Sequence, residues 1–372
     1  MLAQPLRDAS IVAHSAPSGS RAGGRRALVV CDQWLGSNGY AGMKALRRAG
    51  WSVHVLDERE FIPLHWRTPV MRALARAVRR LAVREFNREL VRQANALQPE
   101  LLLVFKGTFV DARSLNALKA LGVRTYCFYP DVSFRVHGPY VPRALPAYDW
   151  IFTTKSFGPK DLREQLGATR ASVILHAFDS DVHRIVDLTP ADLAPYACDL
   201  SFIGTWSPKK EQVLTEIRGR RPALALRIWG AQWAPVARRN KVLRDVIVGS
   251  TVQGEDYVRA IRASAINLAI LSEARTGASS GDHITSRTFH IPAAGGFMLH
   301  ERTDELLRVF DEPDEVVAYA NVDELVARID QALGDEPMRR RVTARAHDVV
   351  HAAHSWDHRI RELLAVHEAS TS

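Results

Sequence analysis

The run Ala27-Leu-Val-Val-Cys31 leads into the turn Asp32-Gln-Trp-Leu-Gly-Ser-Asn-Gly39. An amphipathic stretch from Tyr40 to Ala49, a stop at Gly50 and a second apolar run, Trp51–Leu56, follow. Strand, glycine-bearing turn, helix and strand within about thirty residues make a βαβ unit, whose right-handed crossover puts both strands in one parallel sheet. The pattern recurs with strand Leu101–Phe105, helix Asp111–Ala120 closed by Gly122, and strand Arg124–Tyr129, then short strands Tyr148–Thr153 and Ser172–Leu175. A second series opens near Cys198. Strand Asp199–Ile203, helix Glu211–Arg218, strands Leu224–Trp229 and Val246–Val248, helix Gly254–Ala263 and strand Ile266–Leu271 come first. Helix Arg287–Ala294, strand Phe297–His300, helix Asp304–Phe310, strand Val316–Tyr319 and helix Asp323–Leu333 complete it. Asp179–Tyr196, with Pro190 and Pro195, reads as a linker. The fold class is therefore α/β. Residues 1–25 read as a disordered lead-in, 26–178 and 198–354 as two domains, and 179–197 as the linker between them. A ligand belongs in the cleft at the carboxyl ends of the strands.

Composition narrows the partners. With 372 residues, 47% of them hydrophobic and 24% charged, the chain is neither disordered nor fibrous and is long enough for two cores. Its net charge of +9 comes from two segments, 1–26 at +3 and 67–92 at +6, so a nucleic-acid coat is excluded. A helix is expected from Val70 to Leu97, with a slip in its apolar stripe near Ala82. On it Arg72, Arg76 and Arg80, then Arg84, Arg88 and Arg92, share a face. That face is either a solvated helix surface or a patch for an anionic surface, such as the cytoplasmic leaflet or a charged acceptor. Cys31, Cys127 and Cys198 give no disulfide framework, and neither a signal-peptide core nor a membrane-length apolar run is evident. A cytoplasmic protein is expected, peripheral to the inner face of the membrane if the arginine face is used.

Several loops suit anions. Gly36-Ser-Asn-Gly39 opens the first helix, with Gly36 and Asn38 as phosphate candidates. Gly204-Thr-Trp-Ser-Pro-Lys-Lys210, at the first strand–helix turn of the second domain, offers Gly204, Thr205, Lys209 and Lys210 to a diphosphate. Ser272 to Arg287 is the most polar and glycine-rich loop, and Thr285 or Ser286 is the expected N-cap of the next helix. Inside it Gly277-Ala-Ser-Ser-Gly281 spells GxSxG, but no strand runs straight into Ser279 as an esterase elbow requires. His347, His351, His354 and His358 keep helical spacing without a cysteine or paired carboxylate to complete a metal set. Lys106 and Asp131 close strands and are either cleft groups or, respectively, a snorkelling lysine and a turn aspartate.

The block Arg287-Thr-Phe-His-Ile-Pro-Ala-Ala-Gly-Gly-Phe-Met-Leu299, followed by Asp304-Glu-Leu-Leu and Val316-Val-Ala-Tyr319, resembles the C-terminal half of CgeB-like, group-1-type glycosyltransferases. Val104-Phe-Lys-Gly107, Tyr129-Pro-Asp131, Tyr148-Asp-Trp-Ile-Phe-Thr-Thr-Lys155 and Asp199-Leu-Ser-Phe-Ile-Gly204 extend the resemblance over about residues 27–365. It implies a GT-B architecture: two Rossmann-like domains facing across a cleft, acceptor mainly on the first and nucleotide-sugar on the second, with 355–372 a crossover helix and tail. It further implies transfer of a sugar from a nucleotide-diphosphate sugar (UDP-, GDP- or dTDP-linked) to a hydroxyl of a glycan, lipid-linked or protein acceptor. Retention of configuration, no metal and no tightly bound cofactor are implied with it. Two glutamates with seven residues between them in related retaining enzymes correspond here to Asp282 and His290. Donor phosphates fall to Lys209 or Lys210, Arg287 and the 285–288 backbone including Thr288. Asp131, His137 or Lys106 are acceptor-orienting candidates. Because both acidic positions are altered, a non-catalytic nucleotide-sugar-binding or scaffold protein stays open, as does a sugar-nucleotide epimerase.

Overall fold

The computed structural model describes residues 24–62, 69–249 and 251–371, with the side chains of 69–77 and 371 outside the described set. Residues 1–23 of the expected lead-in also lie outside it.

The first half of the chain folds as β1 (Arg26–Val30), α1 (Asn38–Arg48), β2 (Ser52–Leu56), α2 (Pro69–Leu97), β3 (Leu101–Phe105) and α3 (Ala112–Ala120). There follow β4 (Arg124–Tyr129), α4 (Tyr140–Ala144), β5 (Trp150–Thr153), α5 (Gly158–Leu166), β6 (Ala171–Val173) and α6 (Pro190–Leu193). The second half runs β7 (Cys198–Ile203), α7 (Pro208–Arg220), β8 (Leu226–Trp229), α8 (Ala234–Arg239), α9 (Glu255–Ala263), β9 (Ser264–Ala269) and α10 (Arg287–Ala293). It closes with β10 (Met298–Glu301), β11 (Val317–Tyr319), α11 (Val322–Gly334), α12 (Glu336–Ala353) and α13 (Trp356–Thr371).

The strands form two wholly parallel sheets, ordered β2-β1-β3-β4-β5-β6 and β11-β10-β9-β7-β8. Period-two alternation explains why the strands read as unbroken apolar runs. Leu28 and Val30 enter one core, whereas Ala27, Val29 and Cys31 enter another on the opposite face. Both faces are covered, as a parallel sheet requires. Side chains that compete with turn geometry set the helix starts: the Ser37 hydroxyl accepts from Tyr40 N, Asp111 from Ser114 N and Asn321 from Glu324 N. In each sheet the strand order reverses once, between β1 and β3 and between β7 and β9, and the loops there face one another.

The arginine-rich helix is continuous, and the slip in its stripe has a structural cause. Val83, Phe86, Leu90 and Ala94 of the second register are buried, whereas Leu81 of the first is 64% exposed. Arg80, Arg84, Arg88 and Arg92 are exposed; Arg88 and Arg92 are partnered by Glu85 and Glu89. The Arg72 and Arg76 side chains fall outside the described residues. Two expected elements shrink. The strand 246–248 is a single bridge from Ile247 to Ile228. The helix 304–310 is a 3-10 turn, Leu306–Arg308, pinned by Thr303, whose hydroxyl donates to His283 O and accepts from Leu306 N, too short a run to repay helix nucleation.

The chain ends on the first sheet. Trp356, Ile360, Leu363 and Leu364 of α13 pack into the core under α1. Where the chain returns, Phe178 N donates to His354 O and Trp356 N to Phe178 O. The Arg359 Nε donates to Leu175 O at 3.1 Å.

Candidate active site

The loops at the two switch points enclose three connected chambers, of about 490, 220 and 640 Å³. Ser286 lines all three, so the cleft is one space centred on the start of α10. Its floor depends on close backbone approach. A Cβ on Gly230, which has φ +140°, would sit 2.1 Å from Gly204 O, and one on Gly204 would sit 2.8 Å from an Arg287 Nη1. Any larger residue at either place would push the guanidinium or separate the ends of β7 and β8.

The largest chamber concentrates cations. Lys155, Lys210, Arg275 and Arg287 line it, together with Asp131, Asp282 and the neighbouring imidazoles. Lys210 Nζ is held by Ser272 Oγ at 2.9 Å and Thr205 O at 3.2 Å. Burial, then the Arg287 charge, brings its pKa down to about 7. The Arg287 guanidinium lies over the Phe202 ring at 5.4 Å and donates to Ile270 O at 2.8 Å. Its Nε and the Thr285 hydroxyl are buried without a partner. An unpartnered guanidinium N–H and an unpartnered hydroxyl therefore stand beside the buried Lys210 ammonium, a set of donors with the chemistry to meet an anion.

The long loop 272–286 reaches across the cleft instead of turning back. Ser133 Oγ donates to Thr276 O at 2.5 Å, Gln165 to Gly277 O at 3.0 Å, and Ser279 N to Asp161 at 2.9 Å. Lys155 and Asp282 complete the bridge at 2.5 Å, their side chains only 4% and 9% exposed. His176 Nε2 lies 3.5 Å from the same ammonium, and burial followed by that charge holds the ring neutral. The GxSxG run is thus part of a tether. Its Ser280 hydroxyl meets His283, which meets Glu305, and none of these lines the chambers above.

On the first domain Lys106 adopts φ +70°, a left-handed conformation costing roughly 1–2 kcal/mol for a side-chain-bearing residue. The strain carries its ammonium to within 3.0 Å of Asp131, and His137 Nε2 lies 2.8 Å from the same oxygen. Burial alone would raise the Asp131 pKa, but His137 and Lys106 hold it well below the usual carboxylate range. Such a carboxylate stays charged and orients its neighbours.

Lys106, Asp131, His137, Thr205, Lys210, Asp282 and Arg287 therefore line one chamber, Gly36 and Asn38 the adjoining one, and Gly36, Gly204, Thr205, Arg287 and His290 the third. Three expectations change. Lys209 is paired with Glu301 at 2.5 Å and lines none of the chambers, so Lys210 is the cation at the cleft. Thr288 is fully buried, its hydroxyl bonded to Thr285 N and His300, and neither Thr285, whose hydroxyl has no partner, nor Ser286 caps α10 by its side chain. His290 Nε2 faces the Ala177 carbonyl at 3.1 Å, so that nitrogen carries the proton and only Nδ1 is left to accept. Burial lowers the His290 pKa to about 4, and the ring stacks on His183 at 3.8 Å. Lys155, Glu58, Asp32 and Trp34 were not among the expected site residues; Asp32 and Trp34 share the turn of Gly36 and Asn38, whereas Lys155 and Glu58 meet the site only through partners distant in sequence. Among the described residues no group of three His, Cys, Asp or Glu side chains is arranged to hold a metal ion, and no helix is long and apolar enough to cross a membrane.

Residues 209–365 match the family described as glycosyl transferase-like. Among solved structures, the chain is similar to a glycosyltransferase from Rickettsia africae (12% identity, 93% of this chain and 98% of that one, TM-score 0.64). It is also similar to a sucrose-phosphate synthase from Thermosynechococcus elongatus (10%, 93% and 99%, 0.65). A third likeness is to HepE of Anabaena bound to UDP-glucose (11%, 92% and 99%, 0.61). No curated protein sequence matches it. At these identities the likeness shows the fold: two Rossmann-like domains in the GT-B arrangement.

Proposed function

We propose that the protein transfers a sugar from a nucleotide-diphosphate sugar to an acceptor hydroxyl. The observation that carries this reading is the pair of buried, unpartnered donors, Arg287 Nε and Thr285 Oγ1, next to Lys210 at the meeting point of two parallel sheets. The donor's diphosphate lies on Lys210 and Arg287, with Lys155 reaching it from the first domain. As the anomeric carbon–oxygen bond breaks, its electron pair passes to the phosphate oxygen, which takes the acceptor hydroxyl's proton as the acceptor oxygen bonds to the anomeric carbon, and preorganised cations stabilise the departing charge without reorganising. The nucleoside occupies the chamber lined by Gly204, Gly230, Tyr257 and His290. UDP is the first nucleotide to try, since the similar HepE structure holds UDP-glucose. Retention of configuration without a metal is part of the proposal, as is the orienting of the acceptor by Asp131, His137 and Lys106. Asp282, already neutralised by Lys155, acts by holding that lysine and not as a nucleophile.

Hydrolysis and transfer assays with a panel of UDP- and GDP-sugars test the reading. Failure of every nucleotide to bind ends it. Binding with neither cleavage nor isomerisation favours the non-catalytic alternative, and isomerisation the epimerase.

A pH signature accompanies the binding. Lys210, at about 7 when the site is empty, regains its charge beside a diphosphate. Below the empty-site value the lysine is already protonated. Above it, binding is expected to take up ~1 proton, so affinity falls as pH rises through that value, by up to about tenfold per pH unit. Calorimetry of UDP at pH 8 in buffers of different ionisation enthalpy measures the uptake, and Lys210→Met should abolish it.

The exposed Arg80, Arg84, Arg88 and Arg92 face of α2 is proposed to rest on an anionic membrane. Co-sedimentation with anionic vesicles, absent with neutral ones, checks this.

A further inference from the structure

The two large chambers differ in electrical character. In the one around Lys155, Lys210 and Arg287 the cations outnumber their carboxylate partners. In the one at the β1/β3 switch point each wall cation already has a carboxylate. Arg59 lies 2.7 Å from Asp57 and 3.2 Å from Asp32, and Lys106 lies 3.0 Å from Asp131. One carboxylate there is left over. Glu58 sits in a single 3-10 turn after β2, accepts the Phe109 backbone N–H through its carboxylate, and has its Oε2 buried without a hydrogen-bond partner. Beside these groups Trp34 stands 36% exposed on the border with the nucleoside chamber.

We propose that this chamber is a subsite for an uncharged saccharide, with Trp34 as its stacking platform and Glu58 and Asp32 as the groups that accept its hydroxyl hydrogens. The inference rests on the transferase reading in calling that saccharide the acceptor. An unpartnered carboxylate oxygen needs a donor, and a sugar hydroxyl supplies one where a phosphate or carboxylate supplies only more negative charge. An anionic acceptor would have to be desolvated against Asp32, Glu58 and Asp131 with no unpaired wall cation to meet it, a repulsion that weakly screened surroundings enlarge. Burial and the Asp32 charge raise the Glu58 pKa to about 7, so the acceptor role belongs to its carboxylate above that pH, where the wall resists a further negative charge. The exposed indole offers the C–H face of a pyranose an electron-rich surface. The volume, about 490 Å³, lies within the roughly 300–1,000 Å³ of small-molecule sites. The chamber meets the diphosphate chamber at Lys106, Asp131 and Ser286, so a hydroxyl held here adjoins the donor.

Saturation-transfer NMR on the full chain, with and without UDP, tests it. The probes are methyl glycosides of glucose, galactose, mannose and N-acetylglucosamine, set against glucuronate and glucose 6-phosphate. At least one neutral glycoside should bind, and the anionic sugars at least about tenfold more weakly. Glu58→Ala and Asp32→Ala should each weaken the neutral sugar by about tenfold and leave the UDP Kd within about twofold. Thermal melts confirm folding, and the half-exposed Asp32 side chain provides a variant that removes little packing. Binding by none of the neutral glycosides, equal binding of the anionic ones, or indifference to both substitutions overturns the inference. UDP binding without glycoside binding removes this subsite alone. Glycoside binding without UDP binding removes the transferase reading and leaves the saccharide site standing.

Discussion

Alanine at Arg287 is expected to lower kcat/KM for donor turnover by roughly 10²–10³-fold, the usual cost of one preorganised donor to a developing anion. UDP affinity should fall with it by about tenfold or more, since the guanidinium meets ground state and transition state alike. The side chain is held on three sides: Phe202 under its face, Ile270 O on one nitrogen, and the bare Cα of Gly204 close to another. Its Nε is the remaining group, and it is buried without a partner. Lysine should rescue little, because a point charge cannot reproduce the planar fork. Steady-state kinetics and UDP titration of the two variants check this; unchanged UDP affinity in Arg287→Ala takes the residue out of the site.

Breaking the Lys155–Asp282 pair should have the largest effect on stability. With both side chains almost wholly buried, Lys155→Ala strips the carboxylate of its bonded partner and leaves it only the charges of Lys210 and Arg287, at a cost of up to about 3–5 kcal/mol. Asp282→Ala leaves an ammonium facing Lys210 and Arg287 and should cost a similar amount. Replacing both, as Lys155→Met with Asp282→Leu, should recover most of the stability, because desolvating two ions offsets much of their attraction. Activity should not return, since the Lys155 charge no longer reaches the diphosphate. Urea denaturation of the two single variants and the double variant measures the coupling. Single losses under about 1 kcal/mol would mean that the pair is solvated and the cleft open in solution.

What the sequence made legible was local. The βαβ rhythm, the glycine stop at Gly50 and the loops carrying Lys210 and Arg287 all follow from short-range rules. The resemblance carried the cleft and its two sides. The misses share a cause. Lys155 and Asp282 are 127 residues apart, and nothing in either neighbourhood records that a loop of one domain is moored to the other. Glu58 reads as one acid among several in Asp57-Glu-Arg-Glu60, and only the fold shows that its neighbours are paired and it is not. Lys209 and Lys210 are indistinguishable by composition. Their helix turns the first outward to Glu301 and the second into the cleft.

The backbone passes between the domains twice, once after β6 and once between α12 and α13, and the passages touch where Phe178 pairs across His354 and Trp356. Two strands of chain bonded at one point act as a spine. The halves can swing like the covers of a book, but sliding one past the other would tear the bonds at Phe178. Opening the cleft must therefore also part the contacts of the 272–286 loop with the first domain, where Lys155 meets Asp282 and Ser133 meets Thr276. The contacts of that loop set how easily the cleft opens, and the spine sets the axis about which it does so.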